Sequence, residues 1–270
     1  MKRTSWPPIA RLGFLALIAA TPAAAQTNPS LGTAGAYAVL GASTVTNTGP
    51  TVVFGDLGVS PGAAITGFPP GLVTAFTHAG DADALGAQNA VTVAYDALSS
   101  QPCTGNLTGQ NLGGLTLTPG VYCFDTSAQL TGTLTLNAQG SSGAVFIFKT
   151  GSTLTTAAAS RVQVINDGGG ICGPFWRIGS SATLGTTTSF VGNILALASI
   201  TLTTGAIVQG RALARTAAVT LDTNQVTATF CNPSSTGPTP VPLMPNVFIA
   251  LLAAAMAAAG YLRLRQRAHA

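Results

Sequence analysis

The sequence contains no glutamate, and only 7% of its 270 residues are charged. Glycoside hydrolysis needs a facing pair of carboxylates, and the seven Asp show no convergent pair along the chain. His78 lies on a segment with helical spacing, where no nucleophile and orienting acid complete a Ser/His/Asp triad. We therefore predict that the protein is not an enzyme, and nothing in the sequence calls for a cofactor.

Aromatic residues are also scarce, at 6%, whereas 47% of the residues are hydrophobic, much of that fraction being Ala and Val. The formal net charge of +4 comes from the chain ends, which carry Lys2, Arg3, Arg11, Arg263, Arg265 and Arg267. Between the ends, five cations and seven Asp give 5 − 7 = −2. No basic patch with interleaved aromatics is present, so we expect no nucleic-acid partner.

The N-terminus predicts export. Residues 1–25 have cations at the start, an apolar run from Leu12 to Ala20 and a small-residue site at Ala23-Ala24-Ala25. These are the parts of a secretory signal peptide, with cleavage before Gln26. An N-terminal membrane anchor is the alternative, although the apolar run is short for a membrane span.

The C-terminus predicts a linker and an apolar tail. Residues 233–245 are rich in Pro, Ser and Thr, and residues 246–270 contain an apolar run followed by the Arg cluster. This tail is either a transmembrane anchor with its C-terminus in the cytoplasm or a sorting segment. With Val241-Pro242-Leu243-Met244-Pro245 it resembles exosortase-type tags, which implies a sorting peptidase as partner. Both alternatives leave residues 26–240 outside the cytoplasmic membrane, at the cell surface or extracellular.

The four cysteines fit an oxidising compartment. An even count in an exported chain predicts two disulfides, and three pairings of Cys103, Cys123, Cys172 and Cys231 are possible. We favour Cys103–Cys123 and Cys172–Cys231. A metal site is not expected, because no CxxC occurs and His78 is the only other soft ligand of the exported part.

A repeat occupies the second half of the chain. Six times a Leu follows a Thr, at Leu-to-Leu steps of 17, 20, 30, 18 and 19 residues. A period near 20 in a β-rich chain predicts a β-solenoid, in which each repeat is one coil of the stack. If the Leu points inward, the flanking Thr point outward, so stacked coils would carry columns of Thr along one wall. The step of 30 requires an insertion, and Gly168-Gly169-Gly170 lies within it.

Two or three short strands per coil imply a roughly triangular cross-section. Residues 71–100 differ, because Leu72, Phe76, Leu85, Val91 and Leu98 follow three- and four-residue steps typical of a helix. We therefore predict a mainly β fold, a β-solenoid over residues 26–232 with one long α-helix packed alongside. The helix would cover one wall.

Several motifs resemble those of the bacterial and fungal ice-binding protein family, an ice-binding-like β-solenoid domain. They are the segments 47–50, 55–62, 65–71, 146–148, 175–186, 192–196 and 210–222. The resemblance covers about residues 31–232. It implies a triangular solenoid with one long helix alongside and, in ice-active members, a flat face that is often rich in Thr.

Threonine suits such a face, because its β-branched side chain has a stiff χ1 and presents both a hydroxyl and a methyl group. The resemblance and the repeat together predict a monomer that binds ice or ordered water and inhibits ice growth or recrystallisation. Thr is also a common strand residue, so a surface adhesin or matrix module is the alternative function. The candidate ice-binding residues are Thr116, Thr118, Thr133, Thr135, Thr153, Thr155, Thr183, Thr201, Thr203 and Thr220.

Overall fold

A computed structural model describes residues 26–168 and 173–228. They form stacked coils of parallel strands. A short 3₁₀ helix, Gly32–Ala36, precedes the first strand, and one α-helix lies alongside the stack. The predicted signal peptide, the C-terminal tail and the Cys172–Cys231 pair lie outside the described residues. Within these two ranges, no helix has the length and apolar character needed to cross a membrane.

Each coil has three walls, and strands are numbered in chain order. The threonine wall is a seven-stranded sheet of β11 (Ala128–Leu130), β14 (Leu154–Thr156), β17 (Ala182–Leu184), β19 (Ile200–Leu202), β21 (Val219–Asp222), β2 (Thr44–Thr48) and β5 (Ala64–Thr66). The other two walls belong to one folded sheet, which turns a corner inside β18 (Ser189–Ala196) and β20 (Ile207–Ala214).

The helix-covered wall contains the C-terminal halves of β18 and β20 together with β8 (Gly105–Asn106), β10 (Gly120–Phe124), β13 (Phe146–Thr150), β16 (Phe175–Ile178), β1 (Tyr37–Gly41), β4 (Asp56–Val59) and β7 (Thr77–Ala79). The mixed wall contains their N-terminal halves with β9 (Thr116–Leu117), β12 (Thr133–Asn137), β15 (Arg161–Ile165), β22 (Gln225–Thr227), β3 (Val52–Phe54) and β6 (Leu72–Val73).

The coils do not stack in chain order. The chain first builds two coils, β1–β2–β3 and β4–β5–β6, and then crosses to the other end of the stack through the helix. From β8 onward the coils build back until β20, β21 and β22 pair with β1, β2 and β3. The N-terminal coils therefore continue the stack that the C-terminal coils began.

The corner within β18 and β20 requires glycine. Gly192 and Gly210 have φ values of 132° and 146°, in the region that favours glycine. A Cβ on Gly192 would lie 2.5 Å from Nε1 of Trp176 in the coil below. Glycine at this corner therefore lets the backbone turn while the Trp fills the interior.

The interior is apolar and thin, as the composition predicts. Leu134, Leu154, Leu184, Leu202 and Leu221 of the Thr-Leu repeats are fully buried, which confirms that these Leu point inward. An aromatic stack runs through successive coils, in which Phe148 and Trp176 lie 3.9 Å apart between ring centroids. It also contains Tyr122 and Phe190.

The helix is shorter than predicted. It extends from Ala82 to Ser100, whereas the sequence pattern placed its start near residue 71. Leu72 and Phe76, which fitted the helical stripe, instead lie in or beside the short strands β6 and β7 of the outermost N-terminal coil. Gly80, at φ 69°, ends that coil, and the Asp81 carboxylate caps the helix by accepting from Ala84 N–H at 2.9 Å. This hydrogen bond and one with His78 hold the pKa of Asp81 below its ordinary value.

Buried side chains fix the helix against its wall. The Tyr95 hydroxyl donates to the Ile178 carbonyl at 3.1 Å, and its ring lies between the guanidinium groups of Arg177 and Arg215, at 4.4 and 4.3 Å. Burial raises the pKa of Tyr95, an effect that the two Arg oppose. Lys149 donates to the Ser99 and Gln101 carbonyls and thereby caps the helix C-terminus. Burial and the neighbouring Arg177 lower the Lys149 pKa.

A disulfide joins Cys103 to Cys123, as the sequence predicts for this pair. It ties the segment after the helix to β10, with Cα atoms 5.9 Å apart. Changing both residues to Ser is expected to lower the free energy of unfolding by about 3 kcal/mol, because the bond closes a loop of 20 residues in the unfolded chain. Guanidinium titration measures this loss, and a difference below about 1 kcal/mol would contradict the expectation.

The threonine wall as candidate functional site

A continuous column of threonines runs along the middle of the threonine wall. Direct strand pairing places Thr155 beside Thr183, Thr183 beside Thr201 and Thr201 beside Thr220. The N-terminal coils extend the column, because Thr220 pairs with Thr46 and Thr46 with Thr66. We call these six residues the central column. Gln129 precedes it at one end.

Strand alternation makes the central column face outward. The residues on either side of Thr201, Ile200 and Leu202, are fully buried, and the same inward positions in β14 and β17 are filled by Leu154, Ala182 and Leu184. None of the six threonines is buried. Their methyl and hydroxyl groups therefore reach the solvent while the neighbouring side chains hold each strand to the core.

The hydroxyls of the central column are largely free to bind water. Among the described residues, those of Thr66, Thr155, Thr183 and Thr201 make no hydrogen bond to protein, whereas those of Thr46 and Thr220 lie 3.5 Å apart. Adjacent strands lie about 4.8 Å apart. The column thus offers evenly spaced donors and acceptors, which can order water at the same repeat.

Small residues flank the central column on both sides. Two positions before each column residue lie Ser127, Thr153, Ser181, Ser199, Ala218, Thr44 and Ala64. Two of these pairs are tied by hydroxyls, Thr153 to Ser127 at 2.8 Å and Ser199 to Ser181 at 2.9 Å. Side chains of similar, small size leave no protrusion beside the column.

On the other side, two positions after each column residue, the outward positions are Thr131, Ala157, Gly185, Thr203, Asp222 and Thr48. The Thr203 hydroxyl donates to the Leu184 carbonyl at 2.8 Å. Asp222 is the one charged residue among the outward positions of the described wall, and it accepts hydrogen bonds from Thr204 and Thr223. Positions along a strand repeat at about 6.7 Å, so the columns form a near-rectangular lattice.

Six of the ten candidate residues lie on this wall. They are Thr153, Thr155, Thr183, Thr201, Thr203 and Thr220. None of the ten is covered by the helix. The register differs from the Leu repeat at one coil, because Leu154 pairs with Ala182 and not with Leu184. Consequently Thr155 belongs to the central column and Thr153 to its flank.

The other four candidates do not share that wall, which corrects the prediction of a single Thr wall. Thr133 and Thr135 lie on β12 and Thr116 on β9, both in the mixed wall, and Thr118 directly follows β9. The step of 20 between Leu134 and Leu154 resembled one coil but leads from the mixed wall to the threonine wall. The enlarged coils explain it: coils measure 18 to 20 residues where Ala182, Ile200 and Val219 align, and 26 and 28 residues around Leu154.

Sequence reasoning missed the N-terminal part of the wall. Thr44, Thr46, Thr48 and Thr66 were not predicted, because Val45, Asn47 and Ile65 stand where the repeat has Leu. The alternation Thr-Val-Thr-Asn-Thr over 44–48 was the available signal. What the sequence did not contain is the pairing of this segment with β21, 174 residues away.

The mixed wall carries no comparable lattice. Thr135 is paired with Gln163, and Thr133 with Arg161, so large side chains interrupt both outward columns. Further along, Ile207, Phe54 and Leu72 are exposed at 41%, 40% and 58%. Such differences in size and charge prevent a regular array of methyls and hydroxyls.

The ionisable residues form no metal centre in the part of the chain that the structure describes, where no group of three His, Cys or Asp could hold an ion. His78 is not on the helix, as the sequence pattern had it, but in β7. There its Nδ1 lies 2.8 Å from the Asp81 carboxylate.

The parallel three-walled stack and its threonine column define a β-solenoid with a repetitive hydroxyl surface. The sequence model of the Ice-binding-like family matches residues 39–227, so the chain belongs to that family. An ice-binding protein of Nostoc sp. (strain HG1) is 52% identical over 82% of this chain and 82% of its own length.

Solved structures agree. The ice-binding protein of the Antarctic ascomycete Antarctomyces psychrotrophicus is 39% identical, with a TM-score of 0.73 over 76% of this chain and 100% of its own. An ice-binding protein from an Antarctic biological consortium is 41% identical, with a TM-score of 0.72 over 78% of this chain and 95% of its own.

Proposed function

We propose that this protein adsorbs to ice through the threonine wall and thereby inhibits ice growth or recrystallisation. One observation carries the proposal: six threonines stand in direct register with hydroxyls that face solvent. Family membership and the similarity to ice-binding proteins support it. The residues of the site are the central column with Thr153, Thr203, Thr44 and Thr48 beside it.

The proposed mechanism needs no bond making or breaking. Methyl groups on a rigid sheet disfavour disordered water close to the wall, while hydroxyls hold water at the repeat of the strands. Water ordered in this way can merge with a crystal plane. Ice between adsorbed molecules then grows only as curved fronts, which lowers the local freezing point.

The remaining properties follow from this mechanism. Adsorption requires neither a cofactor nor a metal ion, so we regard the protein as a non-enzymatic monomer whose partner is ice or ordered water. The sequence of the N-terminus supports export, and that of the C-terminus supports a membrane anchor or a segment for a sorting peptidase. The relatives reported above give no support to the alternative of an adhesin or matrix module.

Purified residues 26–240 test the function directly. Single ice crystals grown in the protein solution are expected to become faceted, and polycrystalline ice held below zero is expected to stop coarsening. Bovine serum albumin at the same mass concentration serves as the non-binding control. Round discs and unimpeded coarsening at millimolar protein would contradict ice binding and favour the adhesin.

A further inference from the structure

The central column crosses a boundary between two distant parts of the chain. Thr155, Thr183, Thr201 and Thr220 come from the C-terminal coils, whereas Thr46 and Thr66 come from the N-terminal coils. We call the junction the seam; it comprises the pairings of β1 with β20, β2 with β21 and β3 with β22.

The seam differs from the other junctions of the column in its covalent connection. Thr183 and Thr201, for example, are joined by a single coil of 18 residues. Thr220 and Thr46 lie 174 residues apart in sequence, although their hydroxyls are 3.5 Å apart. Non-covalent contacts alone therefore set the height and register of two of the six threonines relative to the other four.

Gln88 of the helix bridges this seam from the opposite side of the coil corner. Its side-chain amide donates at 3.0 Å to the Gly41 carbonyl and at 3.0 Å to the Ala214 carbonyl. These carbonyls end β1 and β20 at equivalent positions, since Leu40 pairs with Leu213. One amide group therefore spans the two coils at the corner from which β2 and β21 begin.

The environment of Gln88 makes these two hydrogen bonds strong determinants of position. The side chain is 8% exposed and lies among the apolar residues with which the helix packs on the wall. A carbonyl left without a partner at such a place is costly. Other seam contacts are made by strand residues, such as Arg211 to the Gly35 carbonyl and Asn224 N–H to the Thr51 hydroxyl.

We propose that Gln88 is a positioning residue: it holds the N-terminal and C-terminal coils in register, and so aligns Thr46 and Thr66 with the rest of the central column. The effect on ice rests on the proposed function, whereas the effect on the seam does not. Gln88 touches no outward residue of the threonine wall, and acts only through the spacing of the two coils.

Hydrogen exchange tests the seam without ice. In Gln88→Met, which keeps the length and helix propensity of the side chain, the amides of Ala42, Val52 and Thr223, which donate across the seam, are expected to exchange about tenfold faster. Those of Ala182 and Ile200, which donate across ordinary junctions, are expected to be unchanged. Gln88→Glu, which lacks both donors when ionised, provides a second variant. Unchanged seam amides in both variants would overturn the proposal.

Thermal hysteresis then tests the column. Gln88→Met is expected to lose about half of the wild-type value near 0 °C, because two of six threonines lose their alignment. The matched control is Val91→Ala, which weakens the same helix face without touching the seam; it is expected to keep its activity. Equal activity in Gln88→Met and the wild type, or equal loss in the control, would overturn the proposal.

A covalent seam separates positioning from general stability. Val52 and Gln225 are paired across the seam on the mixed wall, so V52C/Q225C can form a disulfide there. In the Gln88→Met background the oxidised pair is expected to restore both slow exchange and thermal hysteresis, and reduction to remove them. Failure of the closed seam to restore activity would overturn the proposal. Should the wild type itself be inactive on ice, the proposed function fails, and the exchange measurements still decide the role of Gln88.

Discussion

Replacing Thr201 by Tyr is expected to leave less than about a tenth of the wild-type thermal hysteresis, because the substitution falls at the centre of the contact surface. Thr201 is flanked in the central column by Thr183 and Thr220. A phenol here would stand above the small residues Ser199 and Thr203 and hold the wall away from the crystal plane. Thermal hysteresis measured by nanolitre osmometry at matched concentration checks this result.

The control for this variant is Thr133→Tyr on the mixed wall, which introduces the same side chain at an exposed Thr of β12. It is expected to retain wild-type thermal hysteresis. Both variants are expected to unfold within about 0.5 kcal/mol of the wild type, because each changes an outward strand position. Equal losses of activity in the two variants would contradict the assignment of the threonine wall.

Replacing Trp176 by Ala is expected to lower the free energy of unfolding by about 4 kcal/mol. The indole is fully buried, lies against Phe148 and Phe190, and donates to the Val191 carbonyl at 3.3 Å. Removing it leaves a cavity across three coils and an unpaired carbonyl, and both effects destabilise the fold. Chemical denaturation followed by circular dichroism measures the change.

Trp176→Phe is the matched control, because it keeps an aromatic ring in the stack while losing volume and one hydrogen bond. We expect a loss of about 1.5 kcal/mol for this variant. If Trp176→Ala lost less than about 1 kcal/mol, the aromatic stack would not be the tightly packed interior described above.

The fold could largely be predicted from the sequence, because the solenoid repeats its own signal. Leu134, Leu154 and Leu202 recur between outward Thr, and each is buried as that alternation requires. The triangular section and the accompanying helix followed from the family resemblance and from the stripe that ends at Leu98. Only the start of the helix was wrong, because Leu72 and Phe76 satisfy helical spacing by chance, and Gly80 and Asp81 determine the boundary.

The distribution of threonines between walls could not be predicted in the same way. A Thr-Leu-Thr triplet shows that Leu points inward but not which of three walls it lies on, since every wall has the same alternation. The segment after Asn137 and the one after Ile165 enlarge two coils, so a fixed period loses register between Leu134 and Leu184. Only strand pairing distinguishes Thr155 from Thr153.

The seam was equally beyond a reading of the sequence. Thr46 joins the central column because the N-terminal coils dock on β21, and this contact is non-local. A repeat search compares neighbouring segments, so it identifies Thr183, Thr201 and Thr220 but omits Thr46 and Thr66. Gln88 was likewise read as a polar residue outside the helical stripe, although it is buried against two carbonyls.

Competitive uptake into ice tests the central claim most directly. Thr183→Tyr and Thr135→Tyr, labelled with different dyes, are mixed at equal concentration, and an ice hemisphere is grown slowly from the solution. We predict that the ice incorporates Thr135→Tyr as it does the wild type and leaves Thr183→Tyr in the liquid. Preferential uptake of Thr183→Tyr would show that the mixed wall contacts ice and that the threonine wall does not.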